Sequence, residues 1–221
     1  MGHALDVVVF GLGQLSRQAV HQLKHESPHR VVAITVDAAY RTLDASDGCP
    51  VIAFEDLHER YPPSQVAMFV PLSYRHLSRT RALKYTQAKA RGYAFVSLVS
   101  PTARVAGNAE IGENCWIDTG VIVQPYARIG DNCIAYAGAV ISHDVELGRH
   151  GFVAAGAVVG GDTRIGERCV LGLNSTVLNG LRVAPRCFIG AGAVLASHAT
   201  EPGVYIGVPA RRREGDGAPS E

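Results

Sequence analysis

An aliphatic residue recurs at every sixth position from Val105 to Leu195, and Ala135 is the one position where it is smaller than valine. Each six-residue unit is counted from this aliphatic residue, and the residue at the fifth position of most units has a small side chain, as at Cys115 and Ala127. Neither an α-helix nor an alternating β-strand produces a period of six over so long a stretch. The hexapeptide repeat is typical of a parallel β-helix, a triangular prism in which three units make one coil.

The predicted prism places residues 18 apart in the sequence above one another, because its coils stack at about 4.8 Å. Four cysteines share one inward column of this kind: Cys115, Cys133, Cys169 and Cys187. One interpretation is that these cysteines bind a row of metal ions along the column. The favoured interpretation is that they fill the interior as small apolar side chains. The chain has five cysteines and no CxxC spacing, so neither a disulfide framework nor a zinc cluster is expected.

The first part of the chain follows a different pattern, in which short apolar runs alternate with amphipathic segments. Strands separated by helices favour a small parallel sheet. The predicted strands cover residues 6–11, 30–37, 50–54, 66–71 and 93–97. The predicted helices cover residues 16–26, a segment starting near Glu55, and residues 77–92.

The near-equal numbers of basic and acidic residues argue against nucleic acids and anionic membranes as binding partners. The chain has 21 Lys and Arg residues against 20 Asp and Glu residues, whereas binding to nucleic acid or an anionic membrane needs a clustered basic excess. No apolar run approaches the roughly 20 residues that span a bilayer, and residues 1–10 lack the pattern of a signal peptide. A cytoplasmic protein without nucleic-acid or membrane partners is expected.

Polar residues interrupt the repeat between residues 139 and 161. His143 is third in its unit and therefore faces outward, Asp144 follows it at a corner, and Gly161 lies one coil above His143. A neutral imidazole beside a carboxylate can act as a general base. A backbone N–H near Gly161 could polarise an acyl carbonyl. The alternative is that His143 and Asp144 are ordinary surface residues.

The sequence resembles the hexapeptide sugar acetyltransferases, and most of all the sialic acid O-acetyltransferase and nucleotide-amino-sugar N-acetyltransferase family. The resemblance implies a Rossmann-like domain over residues 1–97 and a left-handed parallel β-helix over residues 98–210. Residues 211–221 form a polar tail that contains glycine and proline, so its end is expected to be disordered. The motifs of the resemblance are SHDVELG (142–148), GLNSTV (172–177), IGAGAV (189–194) and VYIGVPARR (204–212).

The resemblance also implies an activity, the transfer of an acetyl group from acetyl-CoA to an amino or hydroxyl group of a nucleotide-linked sugar in surface-polysaccharide or glycoconjugate biosynthesis. His143 matches the catalytic base and Asp144 its helper, and no metal is required. Gly161 matches the glycine whose amide meets the acetyl carbonyl, and Leu173 and Ala191 fall where the family lines the pantetheine groove. A homotrimer is expected, since one flat wall cannot bury both substrates.

The chain departs from the family pattern at positions that flank the acceptor. Phe152 replaces a histidine found in many relatives nine residues after the base, and Tyr136 replaces an asparagine seven residues before it. These two departures leave open an acceptor other than a 4-amino nucleotide sugar. The first βα turn holds a GxG sequence, formed by Gly11, Leu12 and Gly13, and Asp37 follows the next strand. This pattern indicates a nucleotide site, although such glycines also occur simply to let a helix pack on its strand.

The sequence leaves two other functions open. A zinc-dependent carbonic anhydrase on the same prism would need three histidines converging on one metal, and the candidates are His143, His150 and His198. The first two lie on different walls in the predicted register. A non-catalytic scaffold is the other possibility, and it differs from the enzyme by the absence of acetyl-CoA binding.

Overall fold

A computed structural model describes residues 4–213. Its N-terminal region contains six strands, three helices and two short 3-10 turns. The strands are β1 (Asp6–Phe10), β2 (Arg30–Val36), β3 (Ala45–Ser46), β4 (Cys49–Ala53), β5 (Ala67–Phe69) and β6 (Ala94–Phe95). The helices are α1 (Gln14–Glu26), α2 (Leu57–Arg60) and α3 (Arg75–Ala90), and the turns are Ala38–Tyr40 and Phe54–Asp56.

The N-terminal sheet has the order β3-β4-β2-β1-β5-β6 and is parallel except for the β3–β4 hairpin. The order reverses between β1 and β5, a point where the carboxyl ends of parallel strands open a crevice. This is the Rossmann-like α/β arrangement expected from the sequence. The antiparallel hairpin was not predicted, because β3 is only two residues long and has no apolar run of its own.

The start of α3 departs from helical geometry. His76, Leu77 and Ser78 have φ angles of 50°, 52° and 59°, in the left-handed region that residues with a β-carbon avoid. The guanidinium of Arg168 donates to the carbonyl oxygens of Leu77 and His76, at 3.0 and 3.2 Å. Contacts with the rest of the fold therefore support this turn, and the right-handed helix begins after it.

The second part of the chain is a left-handed β-helix with three walls. Wall A consists of Leu98–Val99, Trp116–Ile117, Ile134–Ala135, Phe152–Val153, Val170–Leu171 and Cys187–Ile189. Wall B consists of Arg104–Val105, Ile122–Val123, Val140–Ile141, Val158–Val159, Thr176–Val177 and Val194–Leu195. Wall C consists of Glu110–Ile111, Arg128–Ile129, Glu146–Leu147, Arg164–Ile165 and Arg182–Val183.

Neighbouring coils pair in parallel with a register of 18 residues, as Ile129 does with Leu147. The aliphatic residue at the first position of each unit points into the prism. Together with the small residues at the fifth positions, these side chains form the core of the prism. The four cysteines of the inward column are all buried, and none of them forms a disulfide. They fill space inside the prism as small apolar side chains do.

Each corner of the prism turns the chain through one residue with a left-handed backbone, at the fourth position of the unit. Glycine and short polar residues tolerate this conformation best, which explains why they dominate the corners. From Asn114 to Gly192 the corner residues are Asn114, Gly120, Tyr126, Asn132, Gly138, Asp144, His150, Gly156, Asp162, Arg168, Asn174, Gly180, Arg186 and Gly192.

The N-terminal region packs on the outer face of wall A. The indole of Trp116 donates to Gln22 Oε1 at 2.8 Å, and its ring meets Phe69 edge-on at 6.2 Å. The Tyr136 hydroxyl donates to the side-chain oxygen of Gln18. Because α1 and wall A share one apolar core, the turn before α1 has a defined position relative to the prism.

Arg81 of α3 makes the other main connection. Its guanidinium is completely buried, and it donates to the carbonyl oxygens of Leu72, Asn132, His150 and Gly151 at 2.9–3.3 Å. Burial lowers the pKa of Arg81 to about 10, so it stays charged at neutral pH. The residue therefore cross-links the chain before α3 to two successive coils of the prism.

A hairpin closes the prism. The strand Gly203–Gly207 extends wall A beside Cys187–Ile189 and pairs antiparallel with Ala210–Arg212. Arg211 and Arg212 thus belong to a strand, although the sequence predicted a polar tail from residue 211. The rest of that predicted tail, residues 214–221, lies outside the described residues. Within residues 4–213, none of the helices has the length and apolar character needed to cross a membrane.

Candidate active site

His143 lies at the corner between walls B and C, where the interruption of the repeat predicted it. The flanking Ile141 and Val145 are buried in the prism, and this anchoring turns the intervening residues outward. The side chain of His143 is 57% exposed. The predicted outward orientation of the imidazole is therefore what the structure shows.

Asp144 is hydrogen-bonded to one nitrogen of the His143 imidazole. The Nδ1 atom of His143 lies 2.9 Å from Asp144 Oδ2, a contact that assigns the ring proton to Nδ1 and leaves Nε2 as the acceptor. The backbone of the pair is tied to the coil below, since His143 N donates to Gln124 Oε1 at 3.0 Å and Asp144 N donates to the Pro125 carbonyl at 3.1 Å. This arrangement suits a general base.

Gly161 lies directly above His143, as the 18-residue register predicted. The next residue, Asp162, donates its N–H to the His143 carbonyl at 3.0 Å. A β-carbon at residue 161 would lie 2.4 Å from Nε2 of His143 and 2.5 Å from Cε1, so only glycine leaves room for the ring. The Gly161 N–H donates to no protein acceptor among residues 4–213.

Replacing Gly161 with alanine tests this contact. We expect Gly161→Ala to fold, because the φ angle of this glycine lies outside the left-handed region, and to lose about 10²-fold in turnover, since a displacement near 1 Å has that effect on a positioned group. Gly107→Ala is the matched control, because a β-carbon there meets nothing within 4 Å. Full activity in Gly161→Ala would mean that the imidazole need not lie over residue 161.

A cavity of about 340 Å³ lies between the N-terminal region and wall A. It is enclosed largely by aromatic, aliphatic and carboxamide side chains, and none of its lining residues within 4–213 is charged. Four of the predicted site residues meet here: Tyr136, Phe152, Leu173 and Ala191. The other lining residues include Gln14, Leu15, Gln18, Ser73, Tyr74, Val170 and Phe188.

Aromatic rings form the floor of the cavity. Phe152 stacks on Tyr136 at 6.0 Å and contacts Tyr74 at 4.8 Å between ring centroids. Sequence reasoning identified Phe152 and Tyr136 but missed Tyr74, Gln14 and Gln18. The last two could have been found, because they fall in the first two turns of the helix that follows the GxG sequence.

The GxG turn borders this cavity at the carboxyl end of β1. Gly11 has a φ of 114°, and a β-carbon there would lie 2.4 Å from Ser16 Oγ, so this glycine lets α1 pack on its strand. Leu12 is half-buried and Gly13 is exposed at the start of α1. An exposed helix start with free N–H groups suits an anionic ligand, so both interpretations of the GxG sequence keep a physical basis.

Asp37 follows β2 at the same edge of the sheet, but it already has a partner. Its carboxylate accepts from Lys84 Nζ at 2.6 Å, and both side chains are largely buried. Lys84 in turn lies over the rings of Phe10 and Phe54. A ribose contact therefore has to share this carboxylate with Lys84, which the sequence did not indicate.

The three histidines proposed for a zinc site do not form one. His150 lies at the corner between walls C and A, where Nδ1 is 2.8 Å from Asn132 Nδ2, and burial lowers its pKa to about 4. His198 accepts from the Arg182 N–H at 3.1 Å, beyond the regular coils. Within residues 4–213, no group of three His, Cys, Asp or Glu side chains is arranged to hold a metal ion.

Two profiles of known hexapeptide-repeat families match the part of the sequence that contains the six-residue repeat. The family profile described as bacterial transferase hexapeptide (six repeats) matches residues 108–134 and 126–161. A second profile, the hexapeptide repeat of succinyl-transferase, matches residues 162–197. No curated protein matches the sequence.

Solved structures match nearly the whole chain. The acetyltransferase domain of PglB from Neisseria gonorrhoeae FA1090 is 25% identical, with a TM-score of 0.83 over 94% of this chain and 99% of that one. PerB from Caulobacter crescentus, solved with CoA and GDP-perosamine, is 27% identical, with a TM-score of 0.84 over 94% and 97%. WeeI from Acinetobacter baumannii AYE shares the fold, at 18% identity and a TM-score of 0.79 over 95% and 100%.

These matches cover both the N-terminal region and the prism, in the same order along the chain. The protein therefore has the hexapeptide repeats of bacterial transferases and the two-part fold of PglB and PerB, which confirms the resemblance to the hexapeptide-repeat sugar acetyltransferases indicated by its motifs.

Proposed function

We propose that this protein is an acetyl-CoA-dependent acetyltransferase that acetylates an amino or hydroxyl group of a nucleotide-linked sugar, in surface-polysaccharide or glycoconjugate biosynthesis. The observation that carries the proposal is the stack formed by His143, Asp144 and Gly161. In this stack an exposed imidazole that is hydrogen-bonded to a carboxylate lies directly under a backbone N–H that has no acceptor among the described residues. The similarity to PerB, solved with CoA and a nucleotide sugar, supports the same substrate classes.

The chemistry follows from this stack. Nε2 of His143 takes the proton of the acceptor amine or hydroxyl as its nitrogen or oxygen attacks the thioester carbonyl. The Gly161 N–H stabilises the negative charge that develops on the carbonyl oxygen, and Asp144 stabilises the imidazolium. The carbon–sulfur bond then breaks, and the thiolate of CoA leaves and takes the proton from the imidazolium.

Direct transfer is favoured over an acyl-cysteine intermediate. Every cysteine of the chain is buried, and a buried thiol in apolar surroundings is a poor nucleophile. Burial raises the pKa of Cys133 to about 12 and that of Cys115 further still. No thiol is thus available to accept the acetyl group from the coenzyme.

The proposal includes a homotrimer. His143 lies at the corner between walls B and C, whereas the aromatic cavity opens beside the corner between walls A and B. One chain therefore holds the two halves of the site apart. The outward residues of wall B are largely apolar and only partly covered, namely Ile122, Val140, Val158 and Val194. Packing of this wall against another copy would bring the base of one chain to the cavity of the next.

We assign binding of the nucleotide part of the acceptor to residues 1–97 and acyl transfer to residues 98–210. The GxG turn and Asp37 receive the nucleotide, Tyr136 and Phe152 the sugar, and Leu173 and Ala191 the pantetheine arm. Five unpaired cysteines fit a reducing compartment, so we place the enzyme in the cytoplasm.

Coenzyme binding distinguishes the enzyme from a scaffold. With acetyl-CoA at 100 times its Kd, we expect the free energy of unfolding to rise by about 2.7 kcal/mol, measured as a thermal shift with acetate as the control ligand. A scaffold would show no shift. Activity follows from a screen of UDP- and dTDP-linked amino sugars with acetyl-CoA, in which transfer releases one free thiol per acetyl group.

A further inference from the structure

Tyr126 lies next to the catalytic pair and has no role in the function proposed so far. It occupies the corner between walls B and C one coil below Asp144, as the pairing of Ile122 with Val140 and of Arg128 with Glu146 shows. Its side chain is 63% exposed, a large fraction for an aromatic residue. A ring of this size exposed beside a reactive group is a natural ligand contact.

The backbone of Tyr126 strengthens this view. Its φ is 65°, in a region where a bulky side chain is strained. Tyr126 is the only tyrosine or phenylalanine at the fourth position of the units between Asn114 and Gly192. The turn itself does not require an aromatic residue, because glycine or asparagine forms the same turn in other coils.

Tyr126 also has a defined position relative to His143. The two residues before it provide the atoms that hold the catalytic pair from below, Gln124 Oε1 for His143 N and the Pro125 carbonyl for Asp144 N. The segment that carries the ring is therefore hydrogen-bonded to the backbone of the base. A ligand lying on Tyr126 would therefore lie one coil below His143 and Asp144.

The two sides of His143 are not equivalent. Gly161 lies above it, and the residues assigned to the pantetheine arm, Leu173 and Ala191, belong to coils that are also further along the prism. The coenzyme therefore occupies the side toward the C-terminus. The acceptor has to reach Nε2 from the remaining side, where Tyr126 lies.

We infer that Tyr126 is a specificity-determining residue whose ring is the platform for the sugar ring of the acceptor, on the side of His143 opposite the coenzyme. This inference rests on the proposed function. Apolar C–H groups on one face of a pyranose pack on an aromatic ring, while its hydroxyl and amino groups stay free to reach the base.

Steady-state kinetics of Tyr126→Ala and Tyr126→Phe test the inference. In the alanine variant we expect the KM for the acceptor to rise about tenfold while kcat and the KM for acetyl-CoA stay within about twofold. The phenylalanine variant keeps the ring and should behave like the native protein. Tyr40→Ala is the matched control, because Tyr40 is 68% exposed in the N-terminal region, away from the prism corner.

Three results would overturn the inference: an unchanged acceptor KM in Tyr126→Ala, an equal rise in the KM of both substrates, or dissociation of the assembly in light scattering, which would make the ring a subunit contact. The native protein is assayed in parallel. If it transfers acetyl to neither an amino nor a hydroxyl group of any nucleotide-linked sugar, the proposed function fails and this inference with it. If it does transfer acetyl, the variants decide on Tyr126 alone.

Discussion

Replacing His143 with alanine is expected to lower acetyl transfer by about 10²- to 10⁴-fold, the range typical for loss of a general base. The fold should persist, because the side chain is mostly exposed and the flanking Ile141 and Val145 that anchor the corner are untouched. Initial rates measured with saturating acetyl-CoA, together with circular dichroism and a melting curve, separate the two effects.

His58→Ala provides the comparison, because His58 is an exposed histidine on α2, outside the cavity and the prism corner. It should leave the rate unchanged. Undiminished transfer by His143→Ala would remove His143 from the role of base and, with it, the chemical part of the proposal. Acetyl-CoA binding should survive in this variant, since the imidazole is assigned no contact with the coenzyme in the ground state.

The second large effect is expected on stability. Arg81→Met should lower the free energy of unfolding by at least about 3 kcal/mol, because several buried carbonyl oxygens lose their donor at once and each unsatisfied group costs about 1–3 kcal/mol. Methionine fills much of the volume but donates nothing. For a chain of this size the melting temperature should fall by about 6–12 °C, as measured by calorimetry.

Arg79→Met, on the exposed side of the same helix, is the control for Arg81→Met and should stay within about 0.5 kcal/mol of the native protein. A similar small change in Arg81→Met would show that the buried guanidinium costs as much in desolvation as its hydrogen bonds return. The docking of α3 on the prism would then depend on apolar contacts alone.

The prism could be predicted from the sequence because its pattern is contained in each six-residue unit. A period of six places the first residue of every unit on an inward face and every eighteenth residue in one column. The position of His143, outward and beneath Gly161, follows from counting along the chain. The strands and helices of the N-terminal region could be read in the same way, since each is defined by a continuous apolar or amphipathic segment.

Contacts between distant segments were not accessible in this way. Gln18 and Tyr136, or Gln22 and Trp116, meet only because α1 docks on wall A, and about a hundred residues separate the members of each pair. The bond between Lys84 and Asp37 is of the same kind. No periodicity or motif connects such residues. Neither the aromatic cavity nor the ion pair between Asp37 and Lys84 could therefore be deduced from the sequence.

The sequence by itself therefore determined the two architectures and the outward position of His143 and Asp144, because backbone periodicity and the 18-residue register between neighbouring coils decide them. Only the tertiary structure decided that His143 and the aromatic cavity lie at different corners and that Arg81 connects the two parts. These features depend on how one packed surface meets another, and that arrangement is set by the combined shape and polarity of many side chains far apart in the chain.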